Sequence, residues 1–141
     1  MKTRTAQGPS EPTSTVDAYF LSNDLAIGSR VDAAATRAGV ELGQFSAAER
    51  LLAATSEDPA AAVILDLAAL PSFASTPGSS VGDLVAALRA SSPHRRIVAF
   101  APHVHERQIA AARQAGCDHV LSRGQFFAGL DRLLAELRSA E

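Results

Sequence analysis

The side chains suited to chemistry are few and widely spaced. Asp66 closes an apolar run, Ala-Ala-Val-Ile-Leu-Asp-Leu over residues 61–67, so a carboxylate stands where a strand should end. Such a group can bind a cation, pair with an arginine or sit solvated. Ser22, Asn23 and Asp24 follow a short apolar run at 18–21, and Arg123 follows another at 119–122. His103 and His105 form a His-x-His behind Pro102, and His119 lies further on. Imidazoles suit zinc and other transition metals, but no carboxylate at ligand spacing completes a set. The loop histidines are therefore expected in solvent, and no metal site is assigned; their spacing leaves open whether His103, His105 and His119 converge. The single Cys117 excludes an intramolecular disulfide and any multi-cysteine zinc site, and reads as a small buried hydrophobe. Gly-x-Gly-x-x-Gly and Gly-x4-Gly-Lys-Ser/Thr are both absent, which leaves nucleotide binding unsupported; Gly28 reads as a close-packing residue inside a helix. Arg95, Arg96, Arg107 and Arg113 read as scattered cations on a solvated face or a partner surface.

These residues are carried by an alternation of short apolar runs and amphipathic stretches. Strands are expected at Ala18–Leu21, Val40–Phe45, Ala61–Leu67, Ile97–Ala101 and His119–Ser122. Helices are expected at Leu25–Ala38, from Ser46 to near Pro59, at Val81–Ala90, Val104–Ala115 and Phe126–Arg138. Asn23 or Asp24 is placed to cap the first helix, and Gly39 to end it. Ser46 with Glu49 three residues on has the pattern of a capping box. The segment Pro71–Ser80 has loop composition. Five strands alternating with five helices predict a parallel sheet covered on both faces, and right-handed crossovers leave few topologies. A small Rossmann half and a cobalamin-type domain are the competing topologies. The latter lacks its Asp-x-His-x-x-Gly signature, since Leu-Ala-Ile-Gly follows Asp24.

Composition narrows the setting. The chain has 141 residues, 47% of them hydrophobic, enough for one domain with a sizeable core. Aromatics make up 5% and Trp is absent, so an aliphatic core is expected. The formal net charge is −2 with no run of like charges, which argues against a nucleic-acid or anionic-membrane partner. No apolar stretch approaches the roughly 20 residues that span a bilayer. Residues 1–15 are polar, carry two prolines and lack a signal-peptide core. They read as a disordered tail ahead of one folded domain at 16–141, with a cytoplasmic location as the expectation.

The order of elements, Asp66 closing the third strand, the helix-ending Gly39 and the segment Ala-Gly-Cys-Asp-His-Val-Leu-Ser-Arg at 115–123 together resemble the receiver domain of bacterial response regulators, over roughly 16–137. The resemblance implies a flavodoxin-like, doubly wound five-stranded sheet in the order 2-1-3-4-5. It also implies a pocket in which Asp66 is the phosphoacceptor equivalent. The family's acidic pair falls on Ser22 and Asn23, its hydroxyl residue on Ala101 and its lysine on Arg123. Phosphoryl transfer to a carboxylate needs Mg²⁺ on oxygen ligands, a hydroxyl and a fixed cation around the phosphoryl oxygens. Ser22 and Asn23 are neutral, Ala101 has no donor, and an arginine fork does not replace a lysine. Only a shift bringing Asp24 into the pocket would restore a magnesium site; otherwise no cofactor is expected. The aromatic switch position corresponds to Val120, which has no ring to swing.

The chain is thus identified as resembling a stand-alone pseudo-receiver of two-component signalling and phosphorelays. It is expected to be non-enzymatic and to act by protein–protein interaction, with Arg123 paired to Asp66. The resemblance places docking, and a possible homodimer, on the face of the fourth helix, fifth strand and fifth helix. Two alternatives stand beside it. One is a phospho-accepting regulator using Asp66. The other is a small ligand-binding protein or enzyme on the same fold, using Ser22, Asn23, Asp66, His103 and Arg123.

Overall fold

The computed structural model describes residues 16–70 and 80–138; the expected N-terminal tail and all but the last residue of the expected loop at 71–80 lie outside these. The strands are β1 (Ala18–Leu21), β2 (Leu42–Phe45), β3 (Ala62–Asp66), β4 (Ile97–Ala101) and β5 (His119–Ser122). All pair in parallel in the order β2-β1-β3-β4-β5, the doubly wound topology expected. Helices α1 (Leu25–Ala38), α2 (Ala48–Ser56), α3 (Val81–Ser91) and α4 (Glu106–Ala115) alternate with them, followed by α5 (Arg123–Ala128) and α6 (Leu130–Leu137).

Strand side chains alternate between two apolar layers, as the period of two demands. Phe20, Ile64, Val98 and Phe100 face α1, α5 and α6. Tyr19, Leu21, Val63, Leu65, Ile97 and Ala99 face α2, α3 and α4. The expectation of an aliphatic core holds best for the layer facing α2, α3 and α4, although Tyr19 and Phe45 pack there at 5.8 Å between ring centroids. Four aromatics are gathered in the other, where Phe100 stacks on Phe126 at 3.9 Å between ring centroids and Phe20 lies 6.2 Å from Phe100. Phe127 meets both Phe100 and Phe126 edge-on. Five per cent aromatics is thus enough to fill the middle of a small layer.

The helix ends show where local chemistry decides. Asp24 caps α1, its Oδ1 accepting from Ile27 N at 3.1 Å. Gly39 and Gly116 end α1 and α4 at φ 73° and 96°, the left-handed region where a Cβ is strained. The Ser46–Glu49 capping box does not form: α2 starts one residue later, behind Ala47, with no side-chain cap. A real capping box lies elsewhere, between Ser122 and Gln125. It starts the last helical stretch at Arg123 rather than Phe126, and the stretch breaks at Gly129 into two helices.

Candidate functional site

The parallel strands deliver four of the expected residues to one edge of the sheet. Ser22 follows β1, its backbone N–H held by Phe45 O at 3.0 Å. Asp66 ends β3, Ala101 ends β4, and Arg123 follows β5 as the first residue of α5. This C-terminal edge is where open α/β sheets place their sites.

At the centre, Asp66 is only 1% exposed. Its Oδ2 accepts the Ser22 hydroxyl at 2.8 Å, and its Oδ1 accepts Ala68 N at 3.1 Å. The second bond makes Asp66 the cap of a short 3-10 turn at Leu67–Ala69. Both carboxylate oxygens are thereby engaged inside the chain. The Ser22 oxygen in turn accepts from Asp24 N at 3.2 Å, which ties the β1–α1 loop to the carboxylate. Ala101 is wholly buried and pairs in register with Ser122. The Ser122 hydroxyl sits at the helix cap, where it accepts from Gln125 N.

One expectation, the Arg123–Asp66 pair, is corrected here, and the reading of Asp24 as a helix cap holds. Asp24 does not join Asp66: it is exposed and committed to the α1 N-terminus. Asn23 is likewise exposed. The donors around Asp66 are thus one carboxylate already hydrogen-bonded twice and one neutral hydroxyl. A divalent magnesium ion needs several oxygen ligands, usually including carboxylates, and this set does not fit it. Arg123 also does not pair with Asp66; the ion pairs among the described residues are Arg37–Asp131 and Arg89–Asp118. The Ser122–Gln125 capping box explains this. It makes Arg123 the first residue of a helix and carries its side chain toward α1, where it lines a cleft with Asp24, Arg30, His103 and Phe127. There its Nε is buried with no acceptor among the described residues.

The histidines do not converge. His103 and His105 stand beyond the C-terminal end of β4, while His119 opens β5 at the opposite edge. His105 Nδ1 lies 3.2 Å from Gln108 Oε1. No cluster of three metal-binding side chains exists among the described residues. Val120 is half-buried against the layer facing α2, α3 and α4. Cys117 is half-buried too, and desolvation pushes its thiol up to about 11, against a partial pull from Arg89.

The opposite edge holds what the sequence did not announce. Arg95, expected on a solvated face, is 2% exposed. Its guanidinium donates to the main-chain oxygens of Thr55 (2.9 Å), Ala61 (2.7 Å), Asp58 (3.2 Å) and Leu88 (3.5 Å), and to Ser91 Oγ (3.3 Å). Tyr19 Oη donates to Asp58 Oδ2 at 2.9 Å beside it. Burial lowers the guanidinium's affinity for its proton, opposed by the charge of Asp58.

No family model and no curated protein matches the chain. Solved structures do. The N-terminal domain of FixJ superposes with a TM-score of 0.65 at 14% identity, covering 92% of this chain and all of that one. A response regulator receiver domain from Rhodospirillum rubrum gives 0.60 at 18% identity, covering 84% and 91%. A response regulator from Burkholderia pseudomallei, solved with a phosphorylated aspartic acid and a calcium ion, gives 0.56 at 18%, covering 85% and 70%. The chain therefore has the receiver-domain fold, and identities this low carry the fold alone.

Proposed function

We propose that this chain is a receiver-fold signalling module that works by docking to a protein partner rather than by accepting a phosphoryl group. The observation that carries the proposal is the Ser22–Asp66 hydrogen bond. An incoming phosphoryl group would meet a carboxylate whose two oxygens already hold a hydroxyl and an amide. It would find no second carboxylate for a metal, no hydroxyl at Ala101 and no cation from Arg123. Each of those aids offsets charge repulsion in phosphoryl transfer, and their joint loss leaves the reaction unsupported. The same scarcity of convergent groups favours a non-enzymatic role. Ser22 and Asp66 meet, whereas His103 and Arg123 line a separate cleft.

The face of α4, β5 and the last helical stretch, α5 with α6, is the proposed docking surface. Ala112 is the only fully buried residue of α4, and β5 is an edge strand that is nowhere fully buried. A second copy of the chain could occupy this face, and a homodimer would be seen by sedimentation. No helix among the described residues is long and apolar enough to cross a membrane.

The test is incubation with acetyl phosphate and Mg²⁺, read by intact mass, with Asp66→Ala as the control. The proposal expects no adduct in a protein shown to be folded. A stoichiometric gain of one phosphoryl group that disappears in Asp66→Ala would overturn it and restore the phospho-accepting reading.

A further inference from the structure

We infer that the cleft between α1 and α5 is a binding site for a small phosphomonoester, separate from the Asp66 pocket. The cleft has a volume of about 710 Å³, within the range of small-ligand sites. Arg30, His103 and Arg123 line it, together with Asp24 and the ring of Phe127. Asp66, Ser22 and Ala101 do not.

Three features select the ligand's chemistry. The first is charge. Two guanidinium groups face one carboxylate, and that carboxylate already accepts the α1 amide of Ile27. The lining therefore carries an uncompensated cation, suited to a dianion more than to a neutral or cationic ligand. The second is the state of Arg123. It makes no hydrogen bond among the described residues, and its Nε is buried. A buried donor without an acceptor is unfavourable, and a ligand oxygen would relieve it. Its fork is thus not spent on holding the fold, as that of Arg95 is. The third is Arg30, whose guanidinium carbon lies 3.9 Å from the centroid of the Phe127 ring. Stacking of this kind fixes the plane of the group without consuming its donors. A planar fork presents paired N–H groups that match two oxygens of a phosphate, and the His103 imidazole in the lining adds a further nitrogen. The size and open shape of the cleft suit a phosphate attached to a small organic body.

The site is tested by following the Arg Nε–H signals and backbone amides of the ¹⁵N-labelled chain by NMR. Inorganic phosphate and adenosine 5′-monophosphate are titrated in, with adenosine and chloride at matched ionic strength as controls. Saturable shifts are expected at Arg30, Arg123 and the amides of Ile27 and Gly124, with both phosphates and neither control. Arg30→Gln and Arg123→Gln should each weaken binding at least tenfold, while Arg107→Gln on exposed α4 leaves it unchanged. Arg30 is exposed, so its variant stays folded and keeps the test decisive if Arg123→Gln does not. Three results would each overturn the inference: shifts that never saturate, shifts centred on Asp66 and Ala68, or affinities that ignore both arginine variants. Tighter binding of a phosphoserine peptide than of adenosine 5′-monophosphate would overturn the small-ligand assignment. Because no arm involves transfer to Asp66, the outcome is independent of the acetyl phosphate experiment.

Discussion

At the N-terminal edge of the sheet, Arg95 is buried and gives five hydrogen bonds to groups from α2, the turn before β3 and α3. At the C-terminal edge, Arg123 is half-buried and bonded to none of the described residues. Asp66 ends β3 at the same edge, sealed by a serine and an amide. The two edges use the same residue type in opposite ways. Arg95 satisfies the carbonyls that end α2 and α3, as cations near helix C-termini do, and the fold depends on it. Arg123 supports nothing in the fold and is available for an external anion. A receiver fold whose central pocket is closed can thus still keep a free cation at the same edge of the sheet, and the stability of the fold rests on the edge that carries no site.

The largest effect that would break this contrast is in stability. Arg95→Ala leaves four main-chain oxygens and the nearby Asp58 without their cation. Removing one partner of a buried charged network costs about 3–5 kcal/mol. Arg123→Ala breaks no hydrogen bond of the fold and removes a buried donor without an acceptor, so it should cost no stability and can raise it by about 1 kcal/mol. Urea unfolding of the two variants measures both. Equal losses would mean that Arg123 is a structural residue after all and that its free fork is not functional.

Much of the frame was legible from local pattern, because each element is announced by its own residues: apolar runs for the strands, Asp24 for a cap, Gly39 and Gly116 for helix ends. What was illegible depends on residues far apart in the chain. Arg95 finds its main-chain partners 7, 34, 37 and 40 positions away and only Ser91 within 4, so little beside it distinguishes it from exposed Arg96. The Ser22–Asp66 bond spans 44 positions. Phe20, Phe100 and Phe126 become one stack only once the strand order is known. The direction of Arg123 is a different case. The Ser-x-x-Gln at 122–125 is a local capping signal and would have placed the helix start three residues earlier, turning the side chain toward α1.

Thiol reactivity sharpens the contrast from another side. Cys117 sits ahead of β5 at the N-terminal edge, where burial raises its thiol to about 11. Leu25 is 89% exposed at the other edge, so the variant Leu25→Cys offers an ordinary thiol. At neutral pH the thiolate fractions differ by about two orders of magnitude. The rarer thiolate is the more nucleophilic one, which offsets about half of that difference, so a disulfide reagent should label the new thiol about tenfold faster than the native one. Comparable rates would show that the N-terminal edge opens readily, against its assignment as the rigid end.

Ser22→Ala tests the seal on Asp66 itself. It leaves Oδ2 of a buried carboxylate without its donor, at a cost of about 2 kcal/mol. In the background of Asp66→Ala the same change should cost much less. A double-mutant cycle by denaturant unfolding reads the difference as the worth of the bond, and additive losses would remove the observation on which the docking proposal stands.

The smallest effect is the pH response of Tyr19, whose phenol rises from its ordinary 10 to about 12 through desolvation, aided by its hydrogen bond to Asp58 and that residue's charge. Between these values the unfolded chain has released a proton that the folded chain still holds. The contribution is therefore complete below pH 10 and is lost as the pH climbs toward 12. Tyr19→Phe should cost about 1 kcal/mol at neutral pH and flatten that alkaline decline, measured as the urea midpoint from pH 8 to 11.5. The phenol caps the same polar cluster that Arg95 organises, so an unchanged alkaline limb in Tyr19→Phe would separate the tyrosine from it and narrow the structural role of the N-terminal edge to the arginine and its carbonyls.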